Sequence, residues 1–455
     1  MSTDPLNIVI LAAGKGTRMY SHQPKVLHRI GGVSMLERVI QTASSLNPDH
    51  ISVIIGHGKE QIRQQINANV QWIEQNQQLG TGHAVKMALP YLPTSGRTLI
   101  LYGDVPLIDT QTLQQLLNTA GDQIGLLTDI LDNPSGYGRI LRENNNVVAI
   151  IEEKDATPDQ KTITEINTGI FVLPNHKLPE WLNALQNNNV QQEYYLTDII
   201  ALAYRDQIQV RPQHVRASYL AAGVNNKNQL AQLERILQQQ QAQSLLNAGV
   251  TLLDPNRFDL RGQLQHGQDV TIDIDVILEG QITLGDNVNI GAHCVIKNAT
   301  IGHGTTIAPY SHIENCTIGA QAQIGPFARL RPNTHLGDQV HIGNFVEVKN
   351  STLDNGTKAN HLTYLGDATI GSHTNIGAGT ITCNYDGVHK HQTMIGNHVR
   401  IGSGNMLIAP VRIGDKATTG AGSTISKDCP ADALTLARSR QVTLSNWVRP
   451  EKDKD

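Results

Sequence analysis

An apolar residue returns on nearly every sixth position between Ile272 and Ile425. Ile272, Leu278, Leu284, Ile290 and Ile296 keep strict step, as do Ile318, Ile324, Leu330, Leu336, Ile342 and Val348, and then Ile395, Ile401, Leu407 and Ile413. A small residue, most often glycine, commonly follows the marker, as in Ile290-Gly291, Ile342-Gly343 and Ile401-Gly402. Amphipathic helices repeat at about 3.6 residues and flat strands at about 2, so a period of six fits neither. It predicts a triangular coil of short parallel strands, with the marker inside and the small residue turning the corner. Four beats are one residue short: 296 to 301, 313 to 318, 348 to 353 and 365 to 370. At about eighteen residues per coil, all four fall at the same corner. A polar break from Asn384 to Lys390 leaves the coil as a loop.

The first half of the chain reads differently. Asn7-Ile8-Val9-Ile10-Leu11 is a short apolar run of the kind buried in a parallel sheet. Helical spacing at Met35–Ala43 and Lys59–Ile66 alternates with apolar runs at Ile51–Ile55, Val70–Ile73 and Thr98–Leu101, the pattern of an α/β domain. Lys227–Asn247, rich in Gln, Leu and Ala, reads as a connector helix with Leu230, Leu233, Ile236 and Leu237 on one face. The expected division is a Rossmann-like α/β domain over 1–226, a helical linker over 227–249, and a left-handed parallel β-helix of hexapeptide repeats over 250–455, closing in a polar tail.

At 455 residues the chain has room for two or three cores. A net charge of -4 and a pI near 6.5 give no bias toward nucleic acid. There is no uncharged apolar run of eighteen residues, and the start reads as a strand and glycine loop rather than a signal peptide. No membrane insertion and a cytoplasmic location are therefore expected. Cys294, Cys316, Cys383 and Cys429 are widely spaced with no CxxC pair, which favours buried thiols over metal ligands or disulfides.

Candidate chemistry begins directly after the first strand, at Ala12-Ala13-Gly14-Lys15-Gly16-Thr17-Arg18-Met19. Small residues let backbone N–H groups approach an anion, and Lys15, Arg18 and Lys25 add positive charge. The spacing is neither GxxxxGK[ST] nor a full dinucleotide fingerprint, so a kinase or dehydrogenase is disfavoured; composition alone supports an inert βα turn about as well. Asp104 closes an apolar strand where ligands bind in open parallel sheets, and a carboxylate there suits either Mg²⁺ with phosphates or a plain strand-end cap. In the repeat, Arg331 and Lys349 lie one coil apart, predicting a two-cation cradle stacked at about 4.8 Å that suits a phosphate. His361 sits near a lost beat, where a neutral imidazole can take a proton from an attacking amine. A purely structural solenoid is the competing reading.

Leu11 to Met19 followed by Pro24-Lys25 resembles the signature of the sugar-nucleotide pyrophosphorylases. Gln75, Leu79-Gly80-Thr81-Gly82, Tyr102-Gly103-Asp104, Gly136-Tyr137-Gly138-Arg139, Glu152, Asn167-Thr168-Gly169 and Gly223-Val224-Asn225-Asn226 match in order. Joined to a hexapeptide helix, the set is similar to the family of bifunctional bacterial enzymes that pair an N-acetylglucosamine-1-phosphate uridyltransferase with a glucosamine-1-phosphate acetyltransferase.

That resemblance implies that Leu11, Ala12, Ala13, Gly14, Gln75, Gly80 and Thr81 hold the uridine nucleotide of UTP, with Lys25 and Arg18 on its phosphates. Tyr102 and Gly103 belong to the matched motif; Gly138, Glu152 and Asn167 would hold the sugar, and Asp104 and Asn225 would ligate Mg²⁺. In the repeat it implies His361 as general base, Arg331, Lys349, Tyr364, Asn375 and Lys390 on glucosamine 1-phosphate, and Ala378, Asn384, Tyr385, Ser403, Ala421 and Arg438 on acetyl-CoA. It also implies a homotrimer through the β-helix, with Lys390 reaching the site of its own or a neighbouring chain. The rival is a monofunctional sugar-1-phosphate nucleotidyltransferase with a regulatory helix. The length of the repeat and its His361, Tyr364 and Asn375 set weigh against that rival.

Overall fold

The computed structural model describes residues 5–452, so the last three residues of the polar tail lie outside the described part. The chain forms two compact units, Met1–Leu237 and Gln238–Asp455. The first is built on a twisted sheet whose strands are Leu6–Ala12 (β1), His50–Ile55 (β2), Gln71–Glu74 (β3), Arg97–Tyr102 (β4), Ile124–Ile130 (β5), Glu165–Pro174 (β6) and Val210–His214 (β7). Their order across the sheet is β7-β5-β6-β4-β1-β2-β3, with the hairpin Arg139–Glu143/Asn146–Ile151 attached to β6. β1 lies between β2 and β4, parallel to both, and its residues from Asn7 to Ala12 are buried. β6 runs antiparallel to β4 and β5.

Local signals fix the helices that flank this sheet. Helix α1, Met35–Ser44, opens on Ser34, whose hydroxyl accepts from the Glu37 amide at 3.2 Å. It buries Met35, Leu36, Val39, Ile40 and Ala43, one stripe of a 3.6-residue period. Helix α2, Thr81–Ala88, starts immediately after Gly80. Helix α3, Lys227–Asn247, begins in the first unit and ends in the second.

The second unit is a parallel β-helix of the left-handed hexapeptide type. One face is a ladder of eleven described strands running from Thr251–Leu252 to Leu434–Thr435. Every marker counted in the sequence points inward and is buried, from Ile272 through Ile313 and Leu330 to Ile425. The β-helix starts a coil earlier and ends a strand later than the six-residue count: on another face Phe258–His266 pairs residue for residue with Val276–Leu284, and on the eleven-stranded face Thr418 pairs with Leu434. His266 occupies the register position of Leu284, so the apolar beat fails there although the backbone coil does not.

Each coil turns at three corners, and from Asn287 to Gly379 each corner uses a residue in the left-handed backbone region. This corrects the expected role of the small residue after the marker. A Cβ on Gly343 would lie 2.0 Å from the carbonyl oxygen of Asn360 in the next coil, so the glycine there serves close stacking of coils. The left-handed residue is Phe345, two positions later (φ 60). The short beats share one corner, where single left-handed residues Asn298, Asn315, Asn350 and Asp367 make the turn. Their side chains link successive coils, as in Asn298 Nδ2 to Asn315 Oδ1 at 3.0 Å. A second corner carries His293, Tyr310, Phe327 and Phe345, stacked at centroid spacings of 4.8, 5.0 and 5.4 Å, and then Leu362.

Candidate functional site

In the first unit the adjacency of β1 and β4 places two loops side by side at their carboxyl ends. The Gly103 amide donates to the Leu11 carbonyl at 2.9 Å, and the Val224 amide to the Asp104 carbonyl at 2.9 Å. A pocket of 350 Å³ opens there, lined by Leu11, Ala12, Ala13, Gly14, Lys25, Gln75, Gly80, Thr81, Tyr102, Asp104 and Asn225 among others. Its polar end is compact. The Lys25 ammonium is paired with the Asp104 carboxylate and lies 3.2 Å from Asn225 Oδ1. Two hard oxygens thus converge on one cationic point, the donor chemistry that Mg²⁺ takes together with phosphate oxygens and water.

The remaining predicted residues of this unit form a second group. Asn167 donates its amide to the Gly138 carbonyl at 2.9 Å, and a Cβ on Gly138 would sit 3.5 Å from the Glu152 carboxylate. Burial pushes the Glu152 carboxyl up, against a hydrogen bond from Thr197 at 3.0 Å. Tyr102 ties the two groups together: burial and then the charges of Glu152 and Asp104 push its phenol up, so it stays a neutral hydroxyl. Gly169 has φ +85, and a Cβ there would lie 2.6 Å from the Tyr102 ring, so only glycine allows the ring its place. Arg18 is exposed on the Thr17–Met19 turn and does not line the pocket. Gln78 and Glu193 do line it, and sequence reasoning missed both. Gln78 stands beside the matched Leu79-Gly80-Thr81 run, whereas Glu193 lies in a stretch with neither periodicity nor motif.

In the β-helix, His361 ends the strand Lys358–His361, immediately before Leu362 at the aromatic corner. Its Nδ1 lies 3.3 Å from Asn344 Oδ1 in the preceding coil. With the Asn344 oxygen accepting, Nδ1 carries the proton and Nε2 keeps a free lone pair. Backbone bonds from Gly379 to His361, from Gly404 to Ala378 and from Gly422 to Ser403 string His361, Ala378, Ser403 and Ala421 along one edge. Arg438 closes this line, donating to the Ala421 carbonyl at 2.8 Å. The left-handed corner residue, a ring or leucine from His293 to Leu362, becomes glycine at Gly379, Gly404 and Gly422.

Cations gather on the strand that follows the corner. The Arg331 amide bonds the Val348 carbonyl at 2.8 Å, which sets Arg331 beside Lys349 in the next coil. Lys390, from the loop that breaks the repeat, comes against Lys349 of the same chain, and Lys390 together with burial and Arg331 holds the Lys349 ammonium below the usual lysine range. Arg331 also pairs with Glu347 at 2.8 Å. Tyr364 stands in register with Glu347, its hydroxyl over Gly366. Asn375 lies on the adjoining face, in register between Lys358 and Arg400. Asn384 is buried and its amide is bonded to Asp367, away from the His361 edge, while Tyr385 is exposed at the base of the loop. The cysteines are free thiols, three of them buried.

Residues 8–143 match the family model described as the MobA-like NTP transferase domain, and 260–342 and 314–410 match the GMPPB C-terminal domain. Over 455 residues the chain is 65% identical to the bifunctional protein GlmU of Neisseria meningitidis serogroup C, with 100% of both chains covered. It is 58% identical over 451 residues to the bifunctional protein GlmU of Chromobacterium violaceum, covering 99% of each. Identity to that of Acinetobacter baylyi is 56% over 449 residues, covering 98% of each.

Proposed function

Because the chain belongs to the family of bifunctional GlmU proteins, we propose that its two units carry two transferase sites that act in sequence. The β-helix acetylates glucosamine 1-phosphate from acetyl-CoA. The α/β unit joins the resulting N-acetylglucosamine 1-phosphate to UTP, releasing pyrophosphate and forming UDP-N-acetylglucosamine. The observation that carries this reading is the pair of unlike residue sets: Lys25, Asp104 and Asn225 at the polar end of a 350 Å³ pocket in the first unit, and in the β-helix His361 at one corner with the Arg331, Lys349 and Lys390 cations on the strand that follows it. The functional division follows as 1–226 for uridyl transfer and 250–455 for acetyl transfer, with 227–249 as linker.

For acetyl transfer, the edge from His361 to Ala421 receives acetyl-CoA, with Arg438 at its end; Asn384 and Tyr385, at the base of the inserted loop, contact a part of the cofactor that extends beyond that edge. The cations, Tyr364 and Asn375 hold the sugar phosphate. His361 Nε2 takes a proton as the amine nitrogen bonds the acetyl carbon, and returns it to the sulfur as the C–S bond breaks. For uridyl transfer, a sugar phosphate oxygen attacks the α-phosphorus in line and the bond to pyrophosphate breaks. Leu11 to Gly14, Gln75, Gly80 and Thr81 position the nucleotide, Gly138, Glu152 and Asn167 the sugar, and Lys25 offsets phosphate charge in the pocket, while Arg18, exposed on the turn that follows Gly14, acts on phosphate that extends out of it. Asp104 and Asn225 would hold Mg²⁺, which supplies charge neutralisation on the phosphates when bound.

A homotrimer through the β-helix is supported by the apolar corner beside His361, where Tyr310, Phe327, Phe345 and Leu362 are 52%, 47%, 56% and 64% exposed. A cytoplasmic location is supported by the four free thiols; no helix of the described residues is long and apolar enough to cross a membrane. Asp104→Ala is expected to abolish uridyl transfer and spare acetylation, and His361→Ala to do the reverse, each followed by product analysis. Loss of both activities from a folded single variant would refute the two-site reading.

A further inference from the structure

We propose that His83 is a positioning residue for the nucleobase: by accepting a hydrogen bond from the Gln75 amide, it turns the Gln75 carbonyl oxygen toward the pocket, where it selects a base with an N–H at its contact edge. The inference rests on the uridyl-transfer reading above and names how that site tells UTP from CTP.

Gln75 is 3% exposed and lines the pocket. Its Nε2 lies 3.2 Å from the Gly80 carbonyl oxygen and 2.9 Å from His83 Nδ1. A backbone carbonyl only accepts, so the atom facing Gly80 must be the amide nitrogen, which settles the orientation of the side chain. Both amide protons are then engaged, one on Gly80 and one on His83. Nδ1 of His83 accepts, which requires the unprotonated nitrogen there. No described residue donates to Gln75 Oε1. The polar atom that Gln75 offers a ligand is therefore a lone acceptor.

A lone acceptor repels phosphate oxygens and pairs with an N–H or O–H. Uracil carries N3–H, whereas cytosine has a lone pair at N3, so the same oxygen attracts one and repels the other. His83 is well placed to stay neutral. It sits in the first turn of α2, where the helix dipole disfavours added positive charge. Burial and then Lys86 also hold its ring below the usual histidine range.

The test compares the full-length protein with His83→Leu, which removes the acceptor, and His83→Asn, whose side-chain oxygen restores one. UTP- and CTP-dependent turnover with N-acetylglucosamine 1-phosphate are measured for each. His83→Leu frees the amide to rotate, and the UTP to CTP ratio of kcat/KM is expected to fall by about tenfold, the usual worth of one such hydrogen bond. KM for UTP should move more than kcat. His83→Asn should stay within about threefold of the parent ratio. An unchanged ratio in a folded His83→Leu, or equal loss in both variants, overturns the proposal. Should His83→Leu not fold, ¹⁵N chemical shifts of His83 in the parent protein decide: Nδ1 bare and Nε2–H support the proposal, and the opposite tautomer overturns it. Absence of any UTP turnover by the parent would instead refute the uridyl-transfer reading on which the proposal stands.

Discussion

Gly404→Phe tests whether the change from rings to glycines along the second corner creates the acetyl-CoA path. Gly404 has φ +67, and a Cβ added there meets nothing nearer than 3.9 Å. Phe327 and Phe345 occupy the equivalent corner with φ of 57 and 60, so the backbone already accommodates a phenyl group in this conformation. The left-handed backbone costs a side-chain-bearing residue about 1–2 kcal/mol, a tolerable loss for a domain stabilised by about 5–15 kcal/mol. The added ring brings about 200 Å² of surface onto the strip bordered by Ala378, Ser403 and Ala421. A pantetheine arm following that strip would meet it. KM for acetyl-CoA is expected to rise by at least tenfold, about 1.4 kcal/mol of lost binding, while uridyl transfer in the same preparation stays unchanged. Steady-state acetylation with thiol detection gives the first number and pyrophosphate release the second. An acetyl-CoA KM within about twofold of the parent, in a protein with the parent's melting behaviour, would refute the path.

Two further perturbations address the scaffold and the cation cluster. Ile313→Ala empties a fully buried position stacked between Ile296 and Leu330 and should destabilise the β-helix by about 2–5 kcal/mol, read as a shift of its denaturation midpoint; a shift below about 1 kcal/mol would mean that the coil can collapse around the gap. Lys390→Ala removes the strongest influence depressing the Lys349 ammonium, so its pKa should rise in a ¹³C titration. Because the folded pKa of Lys349 lies below the unfolded one, the unfolded chain holds more protons between those values, and stability should climb with pH across that alkaline window. That slope should flatten in the variant.

Much of this was legible in the sequence because a solenoid converts order along the chain into order in space. A residue one coil away is a neighbour, so the count from Arg331 to Lys349 already placed two cations side by side, and the short beats already marked one corner. The count failed at His266, where a polar residue takes a marker's register. It also misread the glycines after the markers, since period alone cannot separate a residue that turns the backbone from one that lets coils touch. The α/β unit was less transparent. Its motifs supplied Lys25, Asp104 and Asn225, but Glu193 and the Gln75–His83 contact depend on how distant loops fold together, which leaves no periodic trace.

The two proposed sites therefore arise from regularity in opposite ways. In the α/β unit, parallel strands β1 and β4 end together, and the site collects where their order brings unrelated loops to one place. In the β-helix every coil repeats the last, and a uniform edge would present the same side chain at each level, as the stacked rings from His293 to Phe345 do. A ligand-binding edge needs that uniformity broken in register. Losing the ring at Gly379, Gly404 and Gly422 opens space along the corner that follows Leu362, and the inserted Asn384–Lys390 loop brings a third cation to Arg331 and Lys349 on the next strand. Neither change disturbs the buried markers, so Ile376, Ile401 and Ile425 keep the core while the corner above them is altered. A β-helix can carry such a site at little cost to its stability because core and corner are different positions of the same six-residue unit.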